Sequence, residues 1–158
     1  MANRPLPAAW PAEHPLAISV SVMLEGWADD SAPGIGPMGN PLKPGVLDLQ
    51  ARSWADYGPK AGARRILDLL AGADTKAVFY VSGLLAERHP DLMRAIAAAG
   101  HVVAAHGWTQ NVIPATQTAE DEARDLRRCL DTLTETAGTR PLGWLSPRCT
   151  PRDRKSVV

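Results

Sequence analysis

Polar residues that could carry out acid–base chemistry follow three short apolar segments of the chain. Glu25 comes directly after segment 16–24, His106 opens the run HGWTQN after segment 101–105, and the run SPR at 146–148 follows LGWL. Carboxylates and imidazoles are common general bases and acids, and hydroxyl, amide and guanidinium groups can bind a developing oxyanion. These residue types therefore predict a site for polar hydrolysis, with Glu25 and His106 as the candidate catalytic residues.

Each candidate also has a purely structural interpretation. Glu25 could be a solvated loop acid, but the glycine after it favours a tight turn that positions the carboxylate. His106 could be a core histidine, but its place between a strand and a glycine favours a functional role. The candidate substrate-binding residues are Trp108, Gln110, Asn111, Ser146 and Arg148. Trp108 could equally be a core side chain, and Arg148 could instead cap a helix dipole.

A parallel sheet would bring these polar runs together. Short apolar segments predict strands at 16–24, which is rich in β-branched residues, and at 76–82, 101–105 and 142–145. Helices are predicted at 60–71, at 84–99 with a helix start or kink at Pro90, and at 118–137 with a threonine cap at its start and a glycine stop. This alternation is typical of a parallel α/β fold, in which sites form at the carboxyl ends of the strands. Residues 28–57 are predicted to be a long irregular loop over that edge.

Composition narrows the class of protein. The 158 residues include 17 basic and 17 acidic side chains, so the net charge of zero predicts neither a nucleic-acid nor a membrane partner. The two cysteines, Cys129 and Cys149, lack metal-binding spacing, and Cys129 is predicted to be a core residue. No segment approaches the roughly 20 apolar residues of a membrane span. Without a clear signal peptide, a cytoplasmic location is expected.

The chain is predicted to consist of three segments. Residues 1–15 are rich in proline and predict an extended N-terminal arm. Residues 16–152 predict one domain, truncated because the alternation of strands and helices stops near residue 151. Residues 153–158, DRKSVV, equal the translation of a common sequencing-library adapter, which predicts a non-native tail. The fragment alone is predicted to be inactive, and to be marginally soluble because strand edges would be left open.

Three runs of this sequence resemble the polysaccharide deacetylase (NodB-homology) family. They are DYGPKAGARRILDLLA, KAVFYVSGLLAERHPDLMRAIAAAGHVVAAHGW and GWLSPR, and the segment AISVSVMLEG is similar to the first motif of the allantoinase-like, metal-poor branch. The resemblance implies a partial (β/α) barrel of the family's seven-stranded type, made of about the first four βα units. It also implies hydrolysis of C–N bonds other than peptide bonds, in an N-acetylated sugar or a small amide.

The resemblance also implies a divalent metal such as zinc, which the family holds with one Asp and two His. Only His106 matches such a ligand directly, because Gln110 stands in the place of the second His and Leu24-Glu25 in the place of the paired aspartates. Glutamine is a poor zinc ligand. We therefore expect no cofactor, with a divalent metal as the alternative. The alternative to an enzyme is a non-catalytic binding module or pseudoenzyme, and an oligomer is left open.

Overall fold

The structure, a computed structural model, describes residue 14, residues 16–28, residue 43 and residues 45–150. Apart from His14, the predicted N-terminal arm lies outside these ranges, as does the predicted tail at 153–158. That division of the chain therefore stays a prediction. Within the described ranges, none of the helices combines the length and the apolar character needed to cross a membrane.

A parallel sheet of three strands lies at the centre of the described residues. The strands are β1 (Ser21–Leu24), β2 (Val78–Val81) and β3 (Val102–Ala105), and they lie in that order across the sheet. Leu24 is opposite Val81, and Val81 is opposite Ala105. The predicted parallel α/β architecture is therefore confirmed, although each strand is shorter than its apolar segment.

The predicted fourth strand at 142–145 is wrong in extent. Trp144 makes a single parallel bridge to Ala105, through hydrogen bonds from Ala105 N–H to Gly143 O and from Leu145 N–H to Ala105 O, both 2.9 Å. Prolines at 141 and 147 flank this segment, and proline has no N–H with which to extend a ladder.

The predicted long loop at 28–57 is wrong in its last part, because helix α1 spans Leu49–Tyr57. A wider helical turn at Gly58–Gly62 follows, and α2 then spans Ala63–Gly72. Proline 59 cannot donate to the helical ladder, and the ladder widens where it stands. The apolar side chains of α1 are largely exposed, so the apolar periodicity that marks a helix in the sequence was absent there.

The predicted helix at 84–99 is two helices, α3 (Gly83–Arg88) and α4 (Pro90–Ala98). Between them His89 leaves the helical conformation, with φ of −132°. Proline at the first position of α4 explains the break, because proline disfavours a helical conformation in the residue before it.

Helix α5 spans Ala119–Ala137, as the sequence predicts. The Thr118 side chain caps it by accepting a hydrogen bond from Asp121 N–H at 3.1 Å. Gly138 ends it in the left-handed conformation, with φ of +76°.

Helices α2, α3, α4 and α5 pack with one face of the sheet around the core. Fully buried members of that core include Phe79, Met93, Ile96, Cys129 and Leu133. The side chains on the opposite face of the sheet are more exposed to solvent: Met23 is 45% exposed and Val102 is 54% exposed. The helices therefore fix the positions of the strand ends from one side.

Candidate active site

The three strands end at one edge of the sheet, and a polar residue follows each of them. Glu25 follows β1, Ser82 follows β2 and His106 follows β3. Because the strands are parallel and in register, these three positions are neighbours along the edge. This is the edge at which open parallel α/β folds bind their ligands.

Glu25 and His106 meet at this edge. Glu25 Oε1 lies 3.6 Å from His106 Nε2, which is within ion-pair distance but longer than a hydrogen bond. The Glu25 side chain is 39% exposed, whereas the His106 side chain is 3% exposed. Solvent therefore reaches the pair from the Glu25 side.

The backbone holds the second ring nitrogen of His106. Nδ1 lies 2.8 Å from the carbonyl oxygen of Leu145, next to the bridge between Ala105 and Trp144. A carbonyl oxygen can only accept a hydrogen bond, so Nδ1 carries the hydrogen in this contact. Nε2, the atom that faces Glu25, is thereby left to accept or release a proton.

A sharp turn directly after β3 keeps the imidazole at the edge. His106 N–H still donates to Val81 O at 3.0 Å, but Gly107 then adopts φ of +73°. A Cβ atom at Gly107 would lie 2.7 Å from Cγ of Pro147. Both the backbone conformation and the close proline ring explain why glycine follows His106.

Two buried side chains, Ser82 and Gln110, form a hydrogen-bond hub between the strand ends. Ser82 Oγ accepts from Gly26 N–H at 3.1 Å and from Gln110 Nε2 at 3.2 Å. Gln110 Nε2 also donates to His106 O at 2.8 Å, and Gln110 N–H donates to Gly26 O at 2.8 Å. The hub therefore ties the turn that carries Glu25 to the turn that carries His106.

Asn111 adds a further link across the same edge. Its Oδ1 accepts a hydrogen bond from Ala28 N–H at 3.2 Å, which joins the segment after β3 to the segment after β1. Gln110 and Asn111 thus contact protein groups directly, whatever they contribute to a substrate.

Trp108 lies between helices rather than beside the pair. The guanidinium of Arg128 stacks 3.5 Å from its ring centroid, and its backbone N–H donates to Asp125 Oδ2 at 3.0 Å. A Cβ at Gly83 would approach the ring to 2.6 Å, so the first residue of α3 packs directly on it. The ring is 9% exposed, in keeping with the core interpretation of this tryptophan.

Ser146 directly precedes the short turn Pro147–Cys149, and Arg148 lies within that turn. Ser146 is buried, and its hydroxyl lies 3.3 Å from Pro147 O. Arg148 is exposed, has a left-handed backbone with φ of +53°, and forms no ion pair with Glu25.

The remaining buried histidine lies at the other end of β3. His101 accepts a hydrogen bond from Ala77 N–H at Nδ1, 3.2 Å, and its ring centroid is 5.3 Å from that of Phe79. Burial, together with the charge of Lys76, lowers the pKa of His101 below its ordinary value. These contacts give His101 a structural environment away from the candidate site.

The family follows from comparison with known sequences. The sequence profile named polysaccharide deacetylase matches residues 54–156, which include the end of α1, the sheet strands β2 and β3, and His106. The chain belongs to the polysaccharide deacetylase family.

Individual members of this family and of its fold match the chain over part of their length. A chitooligosaccharide deacetylase of Rhizobium leguminosarum bv. trifolii is 46% identical over 55 residues, which are 34% of this chain and 26% of that protein. The crystal structure of Puue allantoinase is 27% identical, with a TM-score of 0.76, and the match covers 90% of this chain and 50% of that one. A CE4 family pseudoenzyme from Bacillus anthracis, 23% identical with a TM-score of 0.52, shares the fold over 58% of this chain and 32% of its own.

The chain thus spans half or less of the length of these proteins. Together with the parallel sheet, the matches confirm the predicted fold class, a partial (β/α) barrel of the polysaccharide deacetylase type.

The described residues do not complete a metal site of the kind expected for this family. Glu25 Oε1 and His106 Nε2 are two suitable ligand atoms, but the described ranges hold no cluster of three or more His, Cys, Asp or Glu side chains. At the position of the second family histidine, Gln110 donates from Nε2 to Ser82 and to the backbone. Its buried Oε1 has no hydrogen-bond partner among the described residues, but an amide oxygen is a poor zinc ligand. Asp29 and Asp30 lie outside the described ranges.

Ser82 is the residue of this site that sequence reasoning missed. It is fully buried and takes part in the hub, yet it lies in the run FYVSG, where it reads as the last residue of a strand. The same rule that selected Glu25 and His106, a polar residue at the carboxyl end of a parallel strand, would have selected it too.

Proposed function

We propose that the protein containing this chain hydrolyses an amide C–N bond in an N-acetylated sugar or a small amide, with Glu25 and His106 as catalytic residues. The observation that carries the proposal is the 3.6 Å approach of Glu25 Oε1 to His106 Nε2 at the carboxyl edge of a parallel sheet. Membership of the polysaccharide deacetylase family and the similarity to a chitooligosaccharide deacetylase support it.

Glu25 and His106 divide the proton transfers of hydrolysis between them. Glu25, the exposed member, accepts a proton from the attacking water, whose oxygen bonds to the amide carbon. His106 enters this step as imidazolium, with Nδ1–H donated to Leu145 O, and its Nε2–H protonates the leaving nitrogen as the C–N bond breaks. The proton on Glu25 then returns to Nε2 once the two atoms move from 3.6 Å to hydrogen-bond distance, and the pair is restored.

In this proposal, neighbouring residues hold Glu25 and His106 in place. Gln110 and Asn111 hold the two turns together through their hydrogen bonds to the backbone at Gly26, Ala28 and His106. We propose no step through a metal ion, because the described donors number two where the family uses three. Direct substrate binding by Trp108, Gln110, Asn111, Ser146 and Arg148, and a cytoplasmic location, stay predictions.

A non-catalytic binding module is the second candidate function. The incomplete metal-ligand set favours it, since a family member that lost its metal could keep its substrate cleft and lose turnover.

Turnover by the full-length protein separates the two functions. Acetate release from N-acetylated chitooligosaccharides and ring opening of allantoin would be measured after EDTA treatment and with added zinc. We expect EDTA-resistant turnover, and a fall in kcat/KM of about 100-fold or more in Glu25→Gln and in His106→Asn. Glu135→Gln, an exposed acid of α5, is the matched control and should be unchanged.

A folded protein that binds these substrates without turning them over would support the binding module instead. Turnover that requires added zinc would contradict the metal-free mechanism and place further ligands outside the described residues.

A further inference from the structure

Helix α5 packs against the turn that follows β3. We call residues 106–108 the histidine turn. Asp125 Oδ2 accepts a hydrogen bond from Trp108 N–H at 3.0 Å, and the Arg128 guanidinium lies 3.5 Å from the centroid of the Trp108 ring. Cys129 is fully buried, with its Sγ 3.9 Å from the last carbonyl oxygen of β2. Because residues three and four apart are neighbours on a helix, these three side chains of α5 form one face against the strand ends.

The backbone of the histidine turn is also bound by α3. Gly83 N–H donates to Gly107 O at 2.9 Å, and Leu84 N–H donates to Trp108 O at 3.0 Å. Backbone N–H groups are donors, so the first residues of α3 can bind carbonyl oxygens of the turn but cannot accept its N–H groups. Asp125 supplies the acceptor for Trp108 N–H, and Trp108 is buried. A buried N–H without an acceptor is unfavourable, so this bond restricts where the turn can lie.

The Asp125 carboxylate also lies beside the bend of the turn. Gly107 has φ of +73°, and a Cβ there would lie 3.8 Å from Asp125 Oδ2. The oxygen that binds Trp108 N–H is therefore also close to the residue that directly follows His106. Loss of the hydrogen bond would release the backbone at the bend itself, next to the residue that carries the imidazole.

The alignment of His106 with Glu25 depends on how the turn lies. Further contacts of this histidine run from its N–H to Val81 O at 3.0 Å and from its Nδ1 to Leu145 O at 2.8 Å. Glu25 Oε1 is 3.6 Å from Nε2, longer than a hydrogen bond, so a small displacement of the imidazole decides whether the pair can exchange a proton. A displacement of about 1 Å in a catalytic group can cost about 100-fold in rate.

We propose that Asp125 is a positioning residue for the proposed hydrolysis. Its carboxylate holds the histidine turn through Trp108 N–H and thereby keeps the His106 imidazole aligned with Glu25. The hub ties this turn to the turn after β1, whereas Asp125 ties it to α5. This inference rests on the proposed function and adds to it a residue that exchanges no proton with the substrate.

Kinetics of the full-length protein test the role of Asp125. We expect Asp125→Ala to lower kcat on an N-acetylated chitooligosaccharide by about tenfold or more and to leave KM within about twofold, because alignment is lost and substrate contacts are kept. Asp125→Asn keeps an oxygen acceptor for Trp108 N–H and should restore most of kcat. Asp125→Leu fills a similar space without an acceptor, should behave as the alanine variant, and replaces it if that variant does not fold. Asp131→Ala, at a 73% exposed side chain of the same helix, is the matched control and should be unchanged.

The imidazole of His106 gives a readout that needs no turnover. In protein with isotopically labelled histidine, NMR detects the Nδ1–H that donates to Leu145 O, and His106→Asn assigns the signal. We expect this signal to shift or broaden in Asp125→Ala and to match the wild type in Asp125→Asn and Asp131→Ala. If the wild-type protein hydrolyses no amide, the proposed function fails, and the His106 signal still decides whether Asp125 positions the imidazole.

Three outcomes would overturn the proposal. Wild-type kcat or an unchanged His106 signal in Asp125→Ala, even with a lower melting temperature, would show that Asp125 has a structural role alone. A raised KM at unchanged kcat would place Asp125 in substrate binding. A loss of kcat in Asp125→Asn as large as in Asp125→Ala would assign the effect to the negative charge rather than to the hydrogen bond.

Discussion

The hydroxyl of Ser82 accepts two hydrogen bonds inside the hub, and removing it provides a sharp test of how the site is held together. Ser82→Ala leaves Gly26 N–H and one N–H of Gln110 without their acceptor, at 3.1 and 3.2 Å in the native structure. The other Gln110 hydrogen keeps its bond to His106 O. The perturbation therefore weakens the connection between the Glu25 turn and the His106 turn, although the hydrogen bonds from Gln110 N–H to Gly26 O and from Ala28 N–H to Asn111 Oδ1 remain.

The expected loss of stability follows from the two orphaned donors. Leaving a buried donor unsatisfied costs about 1–3 kcal/mol. Gln110 is 1% exposed and should contribute within that range, whereas Gly26 is half-buried and belongs at its lower end. We expect Ser82→Ala to lower the free energy of unfolding by roughly 2–4 kcal/mol.

Urea unfolding followed by circular dichroism measures this change. Ser53→Ala, at an exposed position of α1, is the matched control and should stay within about 0.5 kcal/mol of the wild type. If Ser82→Ala were as stable as that control, the hub would not hold the strand ends together. In a catalytically active full-length protein, loss of the hub should lower kcat by about tenfold or more while changing KM little, because Glu25 and His106 lose their alignment. An equal change in both variants would refute the positioning role.

Three further predictions concern the rest of the described structure. Gly107→Ala should lower the free energy of unfolding by about 1–3 kcal/mol more than Gly138→Ala. Both glycines have positive φ, but only at Gly107 would a Cβ press against a neighbouring side chain. Equal unfolding midpoints for the two variants would contradict this. Burial raises the pKa of the Cys129 thiol to about 12. A thiol reagent should therefore label the exposed Cys149 and spare Cys129 until the protein unfolds. Labelling of both cysteines in the folded protein would contradict the core packing. Because burial lowers the pKa of His101, the unfolded state binds its proton more tightly, and stability should fall as the pH drops below about 6.5. His101→Asn should lessen that fall in thermal melts, and an unchanged slope would count against it.

The sequence predicts the fold where burial imposes a pattern and fails where burial is absent. Helix α5 carries apolar periodicity and clear caps and lies at its predicted bounds, and three of the four predicted strands are present but shorter than their apolar segments. Helix α1 was missed because its large side chains, Trp54 and Tyr57, lie in the open rather than in the core. The predicted fourth strand is a single bridge in the structure, because prolines on both sides of it end the hydrogen-bond ladder. The length of a ladder also depends on the partner strand, which a local sequence pattern does not reveal.

The candidate site was predictable to the extent that it depends on position along strands. The carboxyl-end rule selected Glu25 and His106, and the structure brings them to 3.6 Å. The role of Ser82 depends on a contact with Gly26, 56 residues away, which no local pattern contains. The sequence predicts Gln110 as a substrate-binding residue because it is an amide, but in the structure its Nε2 donates hydrogen bonds to other groups of the protein. Contacts of this kind arise only once the strands are aligned.

A double-mutant cycle on amide hydrolysis tests the central claim most directly. The kcat/KM of the full-length protein would be measured on an N-acetylated chitooligosaccharide for the wild type, Glu25→Gln, His106→Asn and the double variant. If the two residues act as one catalytic unit, the double variant should be no slower than the slower single variant. Strictly additive losses, or single variants that retain wild-type kcat/KM, would contradict the account.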